Sequence, residues 1–195
     1  MVAWISWRVM AGMAVLAVPM MPGRDRPEPT MVEPAAEAAA VDDGTRKTAQ
    51  RFTGSFAYAG GAEERAARDA AIESVVEDMN MLAQPIARSK LQEGNKIAER
   101  LDITLDGDEI SVAFDGRPFV AGLDGSKKRV VGITGDELDY HVEVGSSKLR
   151  QVFKGDKGGR SNAMRRSGNK IAIDVKVTSS KLPKPLQYRL TYAPR

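Results

Sequence analysis

Gln151 stands between Leu149 and Phe153 at strand spacing, which turns its amide to the same face as two apolar side chains. On the strand expected next, Arg160, Asn162, Met164 and Arg166 share one parity. If that face is inward, a Gln–Asn–Arg cluster lies in an apolar interior. Buried amides and guanidinium groups must find partners. The head group of a bound molecule is one candidate; internal water, mutual pairing, or a reversed parity with Ala163 inward are the others. Tyr140, Tyr188 and Tyr192 complete the candidate ligand-binding set as hydroxyl donors, or serve as core aromatics that need one partner each.

The remaining polar residues assemble no catalytic or metal chemistry. His141 is the only histidine and shares parity with Asp139 and Glu143, opposite Tyr140, which makes it a surface residue. A metal site or a catalytic dyad needs a second such group. There are no cysteines, which removes disulfides, thiolate zinc sites, a cysteine nucleophile and a lipid-attachment cysteine. Asp108-Glu109 and Asp42-Asp43 are adjacent acids rather than opposed ones in a cleft. Gly158-Gly159-Arg160 is too short for a phosphate loop and reads as a hairpin turn. The expectation is a non-enzyme without catalytic residues, metal or cofactor.

Net charge is +3. One stretch concentrates it: Lys148, Arg150, Lys154, Lys157, Arg160, Arg165 and Arg166 face only Asp156. Such a window could meet phosphates or anionic lipid heads, or simply solubilise an outer face. Phe153 is its sole aromatic, too few for stacking on single strands, so no nucleic acid is expected.

The elements that must position these residues follow from periodicity. A strand is expected over residues 52–59. Apolar residues Ile72, Val75, Val76, Met79, Leu82 and Ala83 then recur at helical spacing, predicting a helix over 62–81. Pro85 breaks it, and a second helix covers 86–92 until Gly94-Asn95. From Arg100 the period changes to two. Leu101, Ile103 and Leu105 alternate with Asp102, Thr104 and Asp106. Turn pairs follow at Gly107-Asp108, Asp115-Gly116, Asp124-Gly125, Gly135-Asp136 and Gly168-Asn169. Nine strands with such short turns can only neighbour one another in order, because parallel crossovers need a dozen residues or more. The prediction is a mainly β protein: a ten-stranded antiparallel up-and-down barrel with a helix-turn-helix lid between strands one and two.

A strand starting Phe52-Thr53-Gly54-Ser55-Phe56, a helical pair, and nine meandering strands with hairpins such as Gly168-Asn169-Lys170-Ile171 resemble the fatty-acid-binding-protein branch of the calycin superfamily. The resemblance is one of topology. It implies a barrel that encloses a fatty acid or similar lipid, capped by the helices, with arginines and a tyrosine near the final strand holding the ligand carboxylate. Tyr188, Arg189 and Tyr192 lie there, but Arg189 has the parity opposite to the two tyrosines.

Residues 1–21 are apolar apart from Ser6 and Arg8, and the apolar run 9–21 suits a secretory signal better than a membrane span; a retained anchor is the alternative. Residues 22–49 carry Pro22, Pro27, Pro29 and Pro34 and read as a disordered linker. Residues 50–195 form the barrel domain. The expected compartment is the cell envelope or the exterior, the periplasm if the chain is bacterial. The expected partner is an apolar or amphipathic small molecule, bound by a monomer, with membrane association through the N-terminal segment. The competing expectation is an envelope structural or protein-interaction domain with a filled barrel. The two differ in whether an interior hollow of about 300 Å³ or more exists.

Overall fold

The computed structural model describes residues 41–132 and 135–195. The expected signal or anchor and most of the expected linker lie outside the described residues. Among the described residues, no helix is long and apolar enough to cross a membrane.

Ten strands form one antiparallel sheet: β1 Gly54–Tyr58, β2 Arg100–Asp106, β3 Glu109–Phe114, β4 Arg117–Gly122, β5 Lys128–Val131, β6 Glu137–Val144, β7 Lys148–Gly155, β8 Gly158–Ser167, β9 Lys170–Ser179 and β10 Leu186–Pro194. Their order is β4-β3-β2-β1-β10-β9-β8-β7-β6-β5. The first and last strands of the chain meet, with Tyr58 opposite Tyr192. The meander therefore curls into a nearly closed barrel, as the alternation predicts. It is not zipped all round, because no ladder joins β4 to β5. Side chains bridge that gap instead. Arg117 donates to the carbonyls of Val131 and Gly132 at 2.8 and 3.1 Å, and Lys128 pairs with Glu109 at 2.5 Å. Phe119 and Tyr140 bring their rings to 5.8 Å across it.

The lid consists of α2 Gly61–Glu77 and α3 Gln84–Gly94, inserted between β1 and β2. Helix α2 buries Ile72, Val75 and Val76. It ends four residues sooner than the periodicity predicts. Asn80 turns the chain, its Oδ1 accepting from the Leu82 amide at 2.9 Å. Met79, Leu82 and Ala83 thus leave the helical stripe, and Leu82 stands 88% exposed. Pro85 falls in the first turn of α3, where its missing N–H costs nothing. Two polar clips hold the lid down and a third joins its two helices. Glu64 accepts from the Thr191 amide and hydroxyl at 2.7 and 2.6 Å, Lys184 reaches Asp78 at 2.7 Å, and Arg88 joins Glu73 at 2.8 Å.

A further helix, α1 Asp43–Gln50, lies in the stretch read from sequence as the end of the linker. Asp42 caps it by accepting from the Thr45 amide at 2.9 Å. Ala49 and Phe52 are buried, and Arg46 grips Asp108 in the β2–β3 turn at 2.5 and 3.0 Å. Those contacts place α1 at the end of the barrel away from the lid. The stretch has too few apolar residues to show a helical period; tertiary contacts make it a helix.

Candidate functional site

The inward parity of β7 and β8 is the one that places Gln151 and Asn162 inside. Gln151 is 0% and Asn162 2% exposed. They face each other in register, and Asn162 Nδ2 donates to Gln151 Oε1 at 3.2 Å. Gln151 Nε2 donates to the Tyr140 hydroxyl at 3.1 Å, which donates to the Phe119 carbonyl at 3.3 Å. At the other end, Arg160 Nε donates to Asn162 Oδ1 at 3.0 Å. Every donor in this chain meets one acceptor, all in the same direction, from the guanidinium to the strand gap. Chains aligned in this way strengthen each link.

Arg160 is half-buried and reaches beneath the lid. Its Nη1 donates to the Gly94 carbonyl at 3.2 Å and to Asn95 Oδ1 at 3.3 Å. Its Nη2 donates to the Tyr188 hydroxyl at 3.4 Å, and Tyr188 donates to Asn95 Oδ1 at 3.1 Å. Asn95, the C-cap of α3, is 3% exposed and donates to the Leu91 carbonyl at 2.8 Å. All of these acceptors are neutral. Among the described residues Arg160 forms no ion pair with a carboxylate.

The turn before Arg160 aims it. Gly158 passes so near β9 that an added Cβ would sit 2.1 Å from the Thr178 carbonyl oxygen. The hairpin reading of Gly158-Gly159 holds, and this close approach is why glycine is needed there.

The structure therefore brings together Tyr140, Gln151, Arg160, Asn162 and Tyr188, and leaves out two of the candidates. Tyr192 lies in the core but apart from the cluster, donating to the Ala98 carbonyl at 2.9 Å and meeting the Tyr58 ring edge-on at 5.9 Å. Arg166 has the right parity but sits at the far end of β8, exposed, where it donates to the carbonyls of Arg51 and Gly168. Parity fixes a face, not depth along the strand. Asn95 and Arg68, which donates to the Asn95 carbonyl at 3.1 Å, were not among the sequence candidates. In the sequence Asn95 reads only as a helix stop and Arg68 only as a polar helix residue. Arg189 points outward, as its parity requires, and pairs with Asp174 at 2.7 Å.

Burial sets the electrostatics. Desolvation pushes the Tyr140 hydroxyl up to about 12, against a smaller opposing pull from Gln151. Desolvation also raises Tyr192, with the Asp115 carboxylate adding to it. Both stay neutral donors at ordinary pH. His141 lies on the outer face with Nε2 3.6 Å from Glu143 Oε1, and its Nδ1 is buried without a partner. Among the described residues, no group of three or more His, Asp or Glu could hold a metal ion.

Where a guest-carrying barrel calls for a hollow, the middle of this one is filled. Tyr140, Val142, Leu149, Gln151, Met164 and Ile171 are all 0% exposed. Tyr140 stacks on Phe153 with centroids 4.7 Å apart, and Phe119 meets Phe153 edge-on at 5.0 Å. Two grooves open on the outside. One of about 760 Å³ crosses the outer face of β7–β10 between Arg150, Arg165 and Arg189, and one of about 450 Å³ lies by Arg100 and Arg195.

Among solved structures, the chain is similar to the fluorescent protein UnaG, at TM-score 0.51 and 14% identity over 75% of this chain and 98% of that one. That likeness shows a shared fold, here a nearly closed ten-stranded antiparallel barrel with a helical pair between β1 and β2. Two other similar structures are the apo lipid binding protein 8 of Caenorhabditis elegans (TM-score 0.49, 11% identity, 75% and 96% covered) and fatty-acid-binding protein 1 of Echinococcus granulosus (0.46, 13%, 74% and 98%). No family model and no curated protein matches the sequence. The likeness is one of fold, which leaves the chemistry of this barrel to be argued from its own residues.

Proposed function

We propose that this barrel binds, without catalysis, an amphipathic molecule with an anionic head and an apolar tail. Arg160 is the head-group residue, with Tyr188 and Asn95 beside it. One observation carries the reading: a guanidinium beneath the lid surrounded only by neutral acceptors. A carboxylate or phosphate there gains charge-assisted hydrogen bonds, about twice as strong as neutral ones. The fold supports the same reading, since barrels of this branch enclose lipids beneath a helical cap. Uptake requires the lid to lift and the inner aromatics to give way, because their space is taken. Burial of the tail then supplies ~25 cal/mol per Å² of apolar area.

The filled interior favours a second reading, an interaction domain whose barrel is a solid core. One experiment separates the two. The full chain is stripped of lipid and titrated with a fluorescent fatty acid, then competed with oleate. Saturable binding that oleate displaces supports the carrier. No binding, together with no lipid released by solvent extraction of the freshly purified protein, supports the solid core.

We propose further that the protein is exported and acts as a monomer. Arg8 followed by the apolar run 9–21 is the support for export. Cell fractionation and N-terminal sequencing of the mature chain test it; a cytosolic protein with intact residues 1–21 overturns it.

A further inference from the structure

Two guanidinium groups converge on one residue beneath the lid. Arg160, from the barrel wall, donates to Asn95 Oδ1 and the Gly94 carbonyl. Arg68, from lid helix α2, donates to the Asn95 carbonyl at 3.1 Å. Two of these acceptors, the carbonyls of Gly94 and Asn95, close the C-terminus of α3, where the helix dipole favours cations. The arrangement is nevertheless more than a cap. The Nε of Arg68 is buried and has no hydrogen-bond partner. A buried donor left in that condition has given up its water and gained nothing in exchange. Arg68 has one carboxylate neighbour, Asp69 at 2.6 Å from Nη2, and its side chain is 17% exposed. The pair of arginines thus brings two positive charges to one place, with a spare donor on Arg68 and no carboxylate on Arg160.

We propose that Arg68 is the second cation of the head-group site, so that an anion presenting two oxygens beneath the lid is held from the wall by Arg160 and from the lid by Arg68. The inference rests on the reading of Arg160 as the head-group residue. It adds a specificity rule: the tail is recognised by burial, whereas acid is told from alcohol by the lid. A head group captured in this way also pins α2 to the wall.

The test compares oleate, oleyl alcohol and an alkyl phosphate as competitors of a fluorescent fatty acid on the full-length protein. In the wild type oleate should bind at least about tenfold tighter than oleyl alcohol. Arg68→Gln should shrink that ratio by about tenfold, through weaker binding of the acid. Arg68→Lys keeps the charge but loses the fork, and should fall between the two; it also serves if the Gln variant folds poorly. A matching loss for the alkyl phosphate identifies the site as general for two-oxygen anions, and retention of phosphate binding limits it to carboxylates. An unchanged acid-to-alcohol ratio in both Arg68 variants overturns the inference while Arg160 keeps its role. If no competitor binds the wild type, the inference and the carrier reading fail together.

Discussion

The hydroxyl of Tyr188 on the last strand donates to Asn95 Oδ1 at 3.1 Å, across 93 residues of chain. Asn95 is the hub of the lid seam, since it also accepts from Arg160 and donates to the Leu91 carbonyl. Asn95→Ala should lower stability by about 1–3 kcal/mol, the usual cost of stranding buried polar groups. Hydrogen exchange in Gln84–Gly94 should accelerate by more than in β8 and β9. A urea midpoint and α3 exchange rates equal to wild type would refute the hub.

Gln151 and Asn162 are each other's partners, which predicts non-additivity. Gln151→Leu leaves Asn162 Nδ2 without its acceptor and should cost about 1–3 kcal/mol. Asn162→Leu does the converse. The double variant should cost less than the sum of the two, read as a coupling term in a urea double-mutant cycle. Strict additivity would mean that the amides do not pair.

Alkaline pH offers a different handle. Burial holds the Tyr140 hydroxyl at about 12 when folded, against about 10 in an unfolded chain. The unfolded state loses its proton first. Its stabilising share is therefore intact below pH ~10 and vanishes as pH rises to about 12, a loss of ~3 kcal/mol. Tyr192 acts in the same direction. Tyr140→Phe should be less stable at neutral pH yet flatter between pH ~10 and ~12 in chemical denaturation. A wild-type profile with no decline over that interval contradicts the assignment.

At the other pole, the hydrogen bond from Arg46 holds the Asp108 carboxyl below the usual range, with burial opposing it more weakly. A lowered carboxyl stabilises above its unfolded value, about 3.9, and that share is lost as pH falls through the folded value. Acid unfolding should release α1 early. Asp108→Asn should reduce the pH dependence of α1 protection, leaving the share due to the Asp42 cap, followed by hydrogen exchange on the amides of Asp43–Gln50.

Gly158 admits no side chain, because a Cβ would lie 2.1 Å from the Thr178 oxygen and 2.7 Å from the Ser179 Cα. Gly158→Ala should cost about 1–3 kcal/mol by forcing backbone apart. It should also weaken fatty-acid binding more than an equally destabilising change at the far end of the barrel, since it shifts Arg160. Calorimetry and probe titration on the same variant decide it.

Most of the barrel is legible from alternation. Leu149–Gln151–Phe153 and Asn162–Met164 announce their inward face in the sequence, and turn residues mark each reversal. What is not legible depends on distant partners. Helix α1 has a cap and a charge but no apolar stripe; Asp108, far along the chain, holds it. The end of α2 is set by Asn80 folding back on Leu82, a local hydrogen bond that outweighs the apolar spacing of Met79 and Leu82. Arg166 shares a face with Asn162, yet the rim of the barrel intervenes. Arg68 and Asn95 carry no periodic signal, because a site between a lid and a wall exists only once both are folded.

Among the described residues, side chains of Arg117, Lys128, Phe119 and Tyr140 span the unzipped edge between β4 and β5 in place of a backbone ladder. Widening the cylinder along that line breaks no backbone ladder, only a few side-chain bonds. The girth of this molecule is therefore adjustable by substitutions at these contact positions, so a relative could swell to admit a bulkier cargo without altering its strand count.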